Sequence, residues 1–156
     1  TTAIIVTWNP KNWKPGIKEE NFRRACAGDR SVLPVTERWS VGRRRELEIG
    51  SKAFLLRQGS ERGIVGFGEL VSGVFDDQHW NGSLARARYV DIRWDEIVTP
   101  EDRLPIERLV EEVPDFKWNF VLSSGNELRD RYFKNCPYGD WRHLLEIWNA
   151  HFQSLL

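Results

Sequence analysis

Trp39-Ser40 and Trp80-Asn81-Gly82 are the residues of this chain whose types and setting invite chemistry. Large aromatics are normally spent on a core. A tryptophan in the polar run Glu37-Arg38-Trp39-Ser40, or beside a turn-forming Asn-Gly, is harder to assign there. The two flank an apolar, glycine-punctuated strand pair, residues 53–58 and 63–70. Two indoles so placed would form facing walls of a slot for a flat ring. Proteins hold a nucleobase swung out of its stack in that way.

Bond-breaking chemistry has no comparable signal. There is no phosphate-cradling GxxxxGK[ST] loop, no GxSxG elbow and no HExxH pair. His143 and His151 fall in a C-terminal helical stretch, where surface or core placement is expected. Asp76-Asp77 with His79 is the nearest approach to a metal-binding group, and it reads better as a solvent-facing acidic loop before Trp80. Cys26 and Cys136 lack the CxxC or Cys/His spacing of a zinc site and give no disulfide scaffold. The expectation is a non-enzymatic protein with no metal or cofactor, in a reducing cytoplasm.

Net charge is zero, but its distribution is not even. Residues 1–62 carry 13 Lys/Arg against 7 Asp/Glu, and residues 63–156 carry 10 against 16. Arginine outnumbers lysine 17 to 6, and the run Arg43-Arg44-Arg45 follows Trp39 closely. The planar guanidinium fork suits phosphates and base edges. A solvated surface run is the plainer reading, but the polarity supports one anion-facing side.

The elements that must position these residues follow from periodicity. Ala3-Ile4-Ile5-Val6-Thr7-Trp8 is a β-branched apolar run, a buried strand ended by Asn9-Pro10. Residues 17–27 predict a helix closed by Gly28, and 32–35 an extended stretch leading into the Trp39 loop. Residues 53–58 and 64–71 predict a hairpin, with Gly66 and Gly68 baring one face of its second strand for a bulge or a close approach. Tyr89-Val90-Asp91-Ile92-Arg93-Trp94 alternates strictly, with Val90, Ile92 and Trp94 on one face. Residues 105–112 predict a helix, 118–122 a last strand, and 140–152 an amphipathic helix whose Trp141 and Trp148 are core. At 156 residues, 40% hydrophobic and 29% charged, this is one soluble globular domain spanning 1–156. Nothing approaches the ~20 apolar residues of a membrane span. Thr1–Trp8 is too short and lacks the basic head of a signal peptide. The class expected is α+β, with a strongly bent mixed sheet forming a barrel-like core flanked by helices.

In order and approximate spacing, several stretches resemble EVE domains of the PUA-like superfold, close relatives of YTH domains. They are Ile4-Ile5-Val6-Thr7-Trp8-Asn9, Arg38-Trp39-Ser40-Val41-Gly42, Ile49-Gly50-Ser51-Lys52-Ala53-Phe54-Leu55, residues 63–70 and Tyr89-Val90-Asp91-Ile92-Arg93-Trp94. The likeness runs from about Ala3 to Trp94, and their ordered combination carries it rather than any one motif. The tail, with Pro105-Ile106-Glu107-Arg108-Leu109 and Ser123-Ser124-Gly125, looks like the longer variant found at the front of modification-dependent HNH endonucleases.

The resemblance implies a base-binding cage from Trp39, Ser40 and Trp80 (in the His79-Trp80 segment), with Asn9 reading the base edge. Asn offers both donor and acceptor. Trp8 stands where many relatives carry a small polar residue, and it narrows the rim or adds a third wall. Backbone contacts fall to Arg43, Arg44, Arg45, Ser123 and Ser124. The implied function is to flip a modified base out of nucleic acid, first of all 5-methyl- or 5-hydroxymethylcytosine in double-stranded DNA. The module would serve a restriction system, with an HNH-type effector nuclease in cis or trans. The alternatives are a modified base such as N6-methyladenine in RNA or DNA, a PUA-like small-molecule-binding domain or enzyme, and a plain interaction domain with every tryptophan in the core.

Overall fold

A computed structural model describes residues 2–12, 20–78, 86–119 and 124–156. The chain runs through β1 (Ala3–Trp8), α1 (Glu20–Cys26), β2 (Val35–Ser40), β3 (Lys52–Arg57) and β4 (Gly63–Leu70). It continues through β5 (Phe75–Gln78), β6 (Arg86–Ile97), β7 (Leu104–Pro105), α2 (Ile106–Glu112), β8 (Asn126–Glu127) and α3 (Arg142–Ser154). The architecture is α+β. The strands form one mixed eight-stranded sheet in the order β2-β6-β4-β3-β1-β8, with β5 also on β6 and β7 also on β4. β1 and β3 pair in parallel, from Ala3↔Lys52 to Trp8↔Arg57, and the remaining pairs are antiparallel.

β1 lies in the interior of this order, which explains its unbroken apolar run. Ala3, Ile4, Ile5 and Val6 are all fully buried. Such a strand needs hydrophobic side chains on both faces. The sheet bends at β4, where the register with β6 shifts between Phe67 and Gly68. A Cβ on Gly68 would stand 2.2 Å from the Arg93 carbonyl oxygen, so only glycine allows that approach. Among the described residues no ladder joins β2 to β1 or β8, and the sheet curls without closing.

The two faces of the bend differ sharply. On one, Val90, Ile92 and Trp94 of β6 lie buried, as their alternation predicts, together with Val35 and Trp39 of β2 and Phe22 of α1. The other face carries an ion-pair ladder: Lys52 on Glu69, Glu69 on Arg93 at 3.5 Å, and Arg93 on Asp95 at 2.9 Å. The Lys52 ammonium holds the Glu69 carboxyl below its ordinary range.

Several expected elements need correction. Trp39 is not in a loop but in β2, whose inner face is Val35, Glu37 and Trp39. The buried Glu37 breaks the apolar alternation that would have announced a strand. Arg30–Val32 forms a 3-10 turn ahead of β2 instead of the extended stretch expected from residue 32. Asp76 and Asp77 belong to β5, not to a solvent loop, and Asp77 pairs with Arg38 at 2.7 Å. Trp118 sits in a turn, fully buried with its indole N–H donating to the Val113 carbonyl, and the rest of the expected last strand, from Phe120, lies outside the described residues.

Candidate functional site

The peptide unit of Thr7, near the end of β1, is where distant parts of the chain meet. β8 pairs with β1 only at Ile4 and Ile5, so the strand edge beyond them needs other partners. The Trp39 indole N–H supplies one, donating to the Thr7 carbonyl at 3.0 Å. The Ser124 hydroxyl supplies the other, accepting from the Thr7 N–H at 3.2 Å. Gly125 holds the seam tight. Its φ is +93°, and a Cβ there would lie 2.6 Å from the Val41 carbonyl oxygen, so the turn lies directly on the segment that leaves β2.

The seam overturns the expected cage wall. Trp39 is 4% exposed and packs its ring against Phe22 at 5.4 Å and Trp94 at 5.6 Å. Both contacts are tilted or edge-on, the arrangement that aromatic quadrupoles prefer in a core. A ring so enclosed offers no open face for a base. Trp8 is similar, 7% exposed against Phe22 on one side and the Arg57 guanidinium on the other. Trp80 and Ser123, with His79, lie outside the described residues.

Asn9 and Ser40 are half-buried and flank the seam in sequence. The Asn9 carboxamide oxygen accepts from the Lys11 N–H at 3.1 Å, capping the 3-10 turn Pro10–Asn12. The amide NH₂ takes no part in that bond. The Ser40 hydroxyl accepts from the Gly42 N–H at 3.4 Å, a long contact.

The arginine run divides. Arg43 is exposed, and its carbonyl accepts from the Arg88 guanidinium at 2.9 Å. Arg44 pairs with Glu127 at 3.4 Å. Arg44 and Arg45 line an open cleft of about 640 Å³ that Glu46, Glu48, Glu127, Gly73 and Val74 also line. Trp39 does not line it, so this cleft is not the slot expected between the tryptophans. Its mixed charge makes it a less simple anion surface than the run of three arginines suggests.

Two groups escaped the sequence reading. Arg38 lies over the Tyr89 ring at 4.2 Å while it pairs with Asp77, joining β2, β5 and β6. Only the strand register brings those three residues together. The second is a cluster of arginines around the β3–β4 hairpin, in which Arg57 and Arg103 both approach Glu61. Burial pushes the Cys26 thiol up to about 12 despite the nearby Arg57 charge, which disfavours the thiolate. Among the described residues no group of three or more His, Cys, Asp or Glu side chains is placed to hold a metal ion.

No family model, no curated protein and no solved structure matches this chain. No described helix is long and apolar enough to cross a membrane.

Proposed function

We propose that this protein is a PUA-like recognition domain that binds nucleic acid and accepts a modified base, with modified cytosine in double-stranded DNA as the first candidate. One observation carries the reading: Trp39 and Ser124, singled out from remote parts of the sequence, converge on Thr7, immediately before Trp8 and Asn9. On this reading Trp39 is a positioning residue. It fixes the end of β1, and with it Asn9, while the stacking surface is left to Trp80. Asn9 and Ser40 read the base edge, and Arg43–Arg45 hold phosphates.

The energetics require all three contributions. Stacking gives about 1–3 kcal/mol per base, and a buried methyl adds about 0.8 kcal/mol. Extrusion consumes a few kcal/mol, so phosphate contacts must supply net affinity. An effector nuclease, in cis or trans, would use the bound state.

The test is binding to matched duplexes that differ only in one base: cytosine, 5-methylcytosine, 5-hydroxymethylcytosine, adenine and N6-methyladenine. RNA versions are run in parallel at a stated salt concentration. The expected result is preference for one modified duplex, lost in Trp80→Ala and weakened in Asn9→Asp, which keeps the oxygen that accepts from Lys11 and removes the NH₂ donor. Equal binding to all sequences overturns base reading. The burial of Trp39 favours a second reading, an interaction domain whose tryptophans only build the core. That reading predicts no nucleic-acid binding in any arm.

A further inference from the structure

The β3–β4 hairpin, residues 58–62, carries an arrangement that neither the fold nor base reading accounts for. Arg57 ends β3, in register with Trp8 across the parallel pair, and holds its guanidinium 5.3 Å over that indole. The side chain is only 12% exposed, and its Nε is buried with no hydrogen-bond partner. A buried guanidinium is expected to be matched by acceptors in close contact. Its carboxylate neighbour is Glu61, and Glu61 Oε1 stands 3.7 Å from Arg57 Nη2, beyond hydrogen-bond length.

Arg103 approaches the same carboxylate from another element. Its Nη1 lies 4.0 Å from Glu61 Oε2. The guanidinium is anchored to the main chain, with Nε donating to the Arg62 carbonyl at 3.3 Å and the same Nη1 donating to the Pro100 carbonyl at 2.9 Å. These bonds hold the guanidinium in place whether or not Glu61 is there. Arg62 is also anchored, donating through Nε and Nη2 to the Trp118 carbonyl. Two guanidinium groups on anchored side chains therefore share one carboxylate, an excess of positive charge.

Glu61 itself is poorly matched to its place. Its φ is +55°, a region L-residues rarely occupy outside Asn, Asp and Gly. Its side chain is 44% exposed, and it touches each arginine with one oxygen at long range. A strained, half-exposed carboxylate between two preorganised guanidinium groups behaves as a stand-in for a larger anion.

We propose that Arg57 and Arg103 form a phosphate-binding site at the hairpin rim, which the Glu61 carboxylate occupies in the free protein and yields to the ligand. A phosphate spreads its oxygens more widely than a carboxylate and reaches both forks at once. The site adjoins Asn9, whose Oδ1 is 3.9 Å from where a Cβ on Gly59 would stand. The phosphate comes from a nucleic-acid backbone or from a mononucleotide. The inference needs no base preference and stands apart from the function proposed above.

The experiment measures inorganic phosphate and pyrophosphate binding by calorimetry at low ionic strength, in the wild-type protein, Glu61→Gln and Glu61→Gly. Removing the competing carboxylate should tighten binding at least fivefold in both variants, and Glu61→Gly should also raise the melting temperature by relieving the positive φ. Adding Arg103→Gln to Glu61→Gln should return affinity to the wild-type value or below. Because Arg103 also bonds two main-chain carbonyls, a mutation-free readout accompanies it. Phosphate should shift the Arg57 and Arg103 guanidinium N–H resonances in the wild-type spectrum. An oligothymidylate and thymidine 5′-monophosphate then separate the sources: tighter binding of the first assigns the site to a backbone, of the second to a terminal phosphate. Affinity within twofold of wild type in both Glu61 variants, or unmoved arginine resonances, overturns the site.

Discussion

Trp39 and Trp148 come from opposite kinds of sequence and end in similar places. Trp39 follows Glu37-Arg38, whereas Trp148 lies on the apolar stripe of α3. Yet the two are 4% and 0% exposed, and each indole N–H has an acceptor. Trp39 donates to the main-chain carbonyl of Thr7 at 3.0 Å, and Trp148 to the Glu96 carboxylate at 2.7 Å. Flanking polarity does not give the destination of a strand residue, because Arg38 belongs to the opposite face and Glu37 is itself buried beside Trp39 on the inner one. In a helix the stripe itself is visible over several turns, so the inference from neighbours is safer.

The largest expected effect tests that equivalence. Trp39→Ala and Trp148→Ala should each cost about 3–5 kcal/mol in urea unfolding, since both leave a cavity in packed surroundings. A loss under about 1 kcal/mol for Trp39→Ala alone would break the comparison and return Trp39 to the role of a ligand wall.

Removing only the polar handle should separate the two. Trp148→Phe takes a donor from a carboxylate and should cost about 1.5–3 kcal/mol, while Trp39→Phe removes a neutral bond worth about 1 kcal/mol. Equal costs would mean that the charge of Glu96 contributes nothing to the C-terminal anchor.

The arginines near the two indoles sharpen the contrast in function. On the nucleic-acid reading proposed above, replacing Arg43, Arg44 and Arg45 by alanine should flatten the log–log salt dependence of affinity by about 1 unit for each phosphate no longer neutralised. Modified and unmodified duplexes should weaken alike, because phosphate binding carries no sequence information. Arg142→Ala, at the start of α3, should leave the slope unchanged. A slope that responds to Arg142 and not to the triple variant would move the interface to the start of α3.

The smallest effect concerns the same α3 terminus. Asp140 accepts from the Arg142 side chain and N–H, and the side-chain bond chiefly lowers its carboxyl from the ordinary 3.8. A lowered carboxyl stabilises the fold above its unfolded value and loses that contribution as pH falls through the folded one. Wild-type protein should therefore melt slightly above Asp140→Asn at pH 7, with the gap closing below pH ~4. A gap that does not narrow as pH falls below the ordinary carboxylate range would assign the difference to packing rather than charge.

Local pattern made much of the scaffold readable. The β-branched run of β1, the hairpin of β3 and β4, the alternation in β6 and the stripe of α3 all announced themselves. β2 and β5 did not, because Glu37 faces inward and Asp77 is matched by Arg38 from another strand. β7 and β8 have two residues each, too few for any period to show. Of the candidate site, Asn9 and Ser40 lie beside the seam, whereas Trp39 serves the core and Arg44 is tied to Glu127. Arg57 had no signal at all beyond its place at a strand end.

Residue order alone determined which stretches extend or coil and which side chains favour burial, because those preferences act over a few neighbouring residues. Which groups finally touch was decided by the bent sheet. Thr7 meets Trp39 across 32 positions and Ser124 across 117. Those contacts exist because the strands are stacked in a curled order, with a register shift at Gly68 to turn them. No local propensity encodes a distance between strands that have no ladder in common.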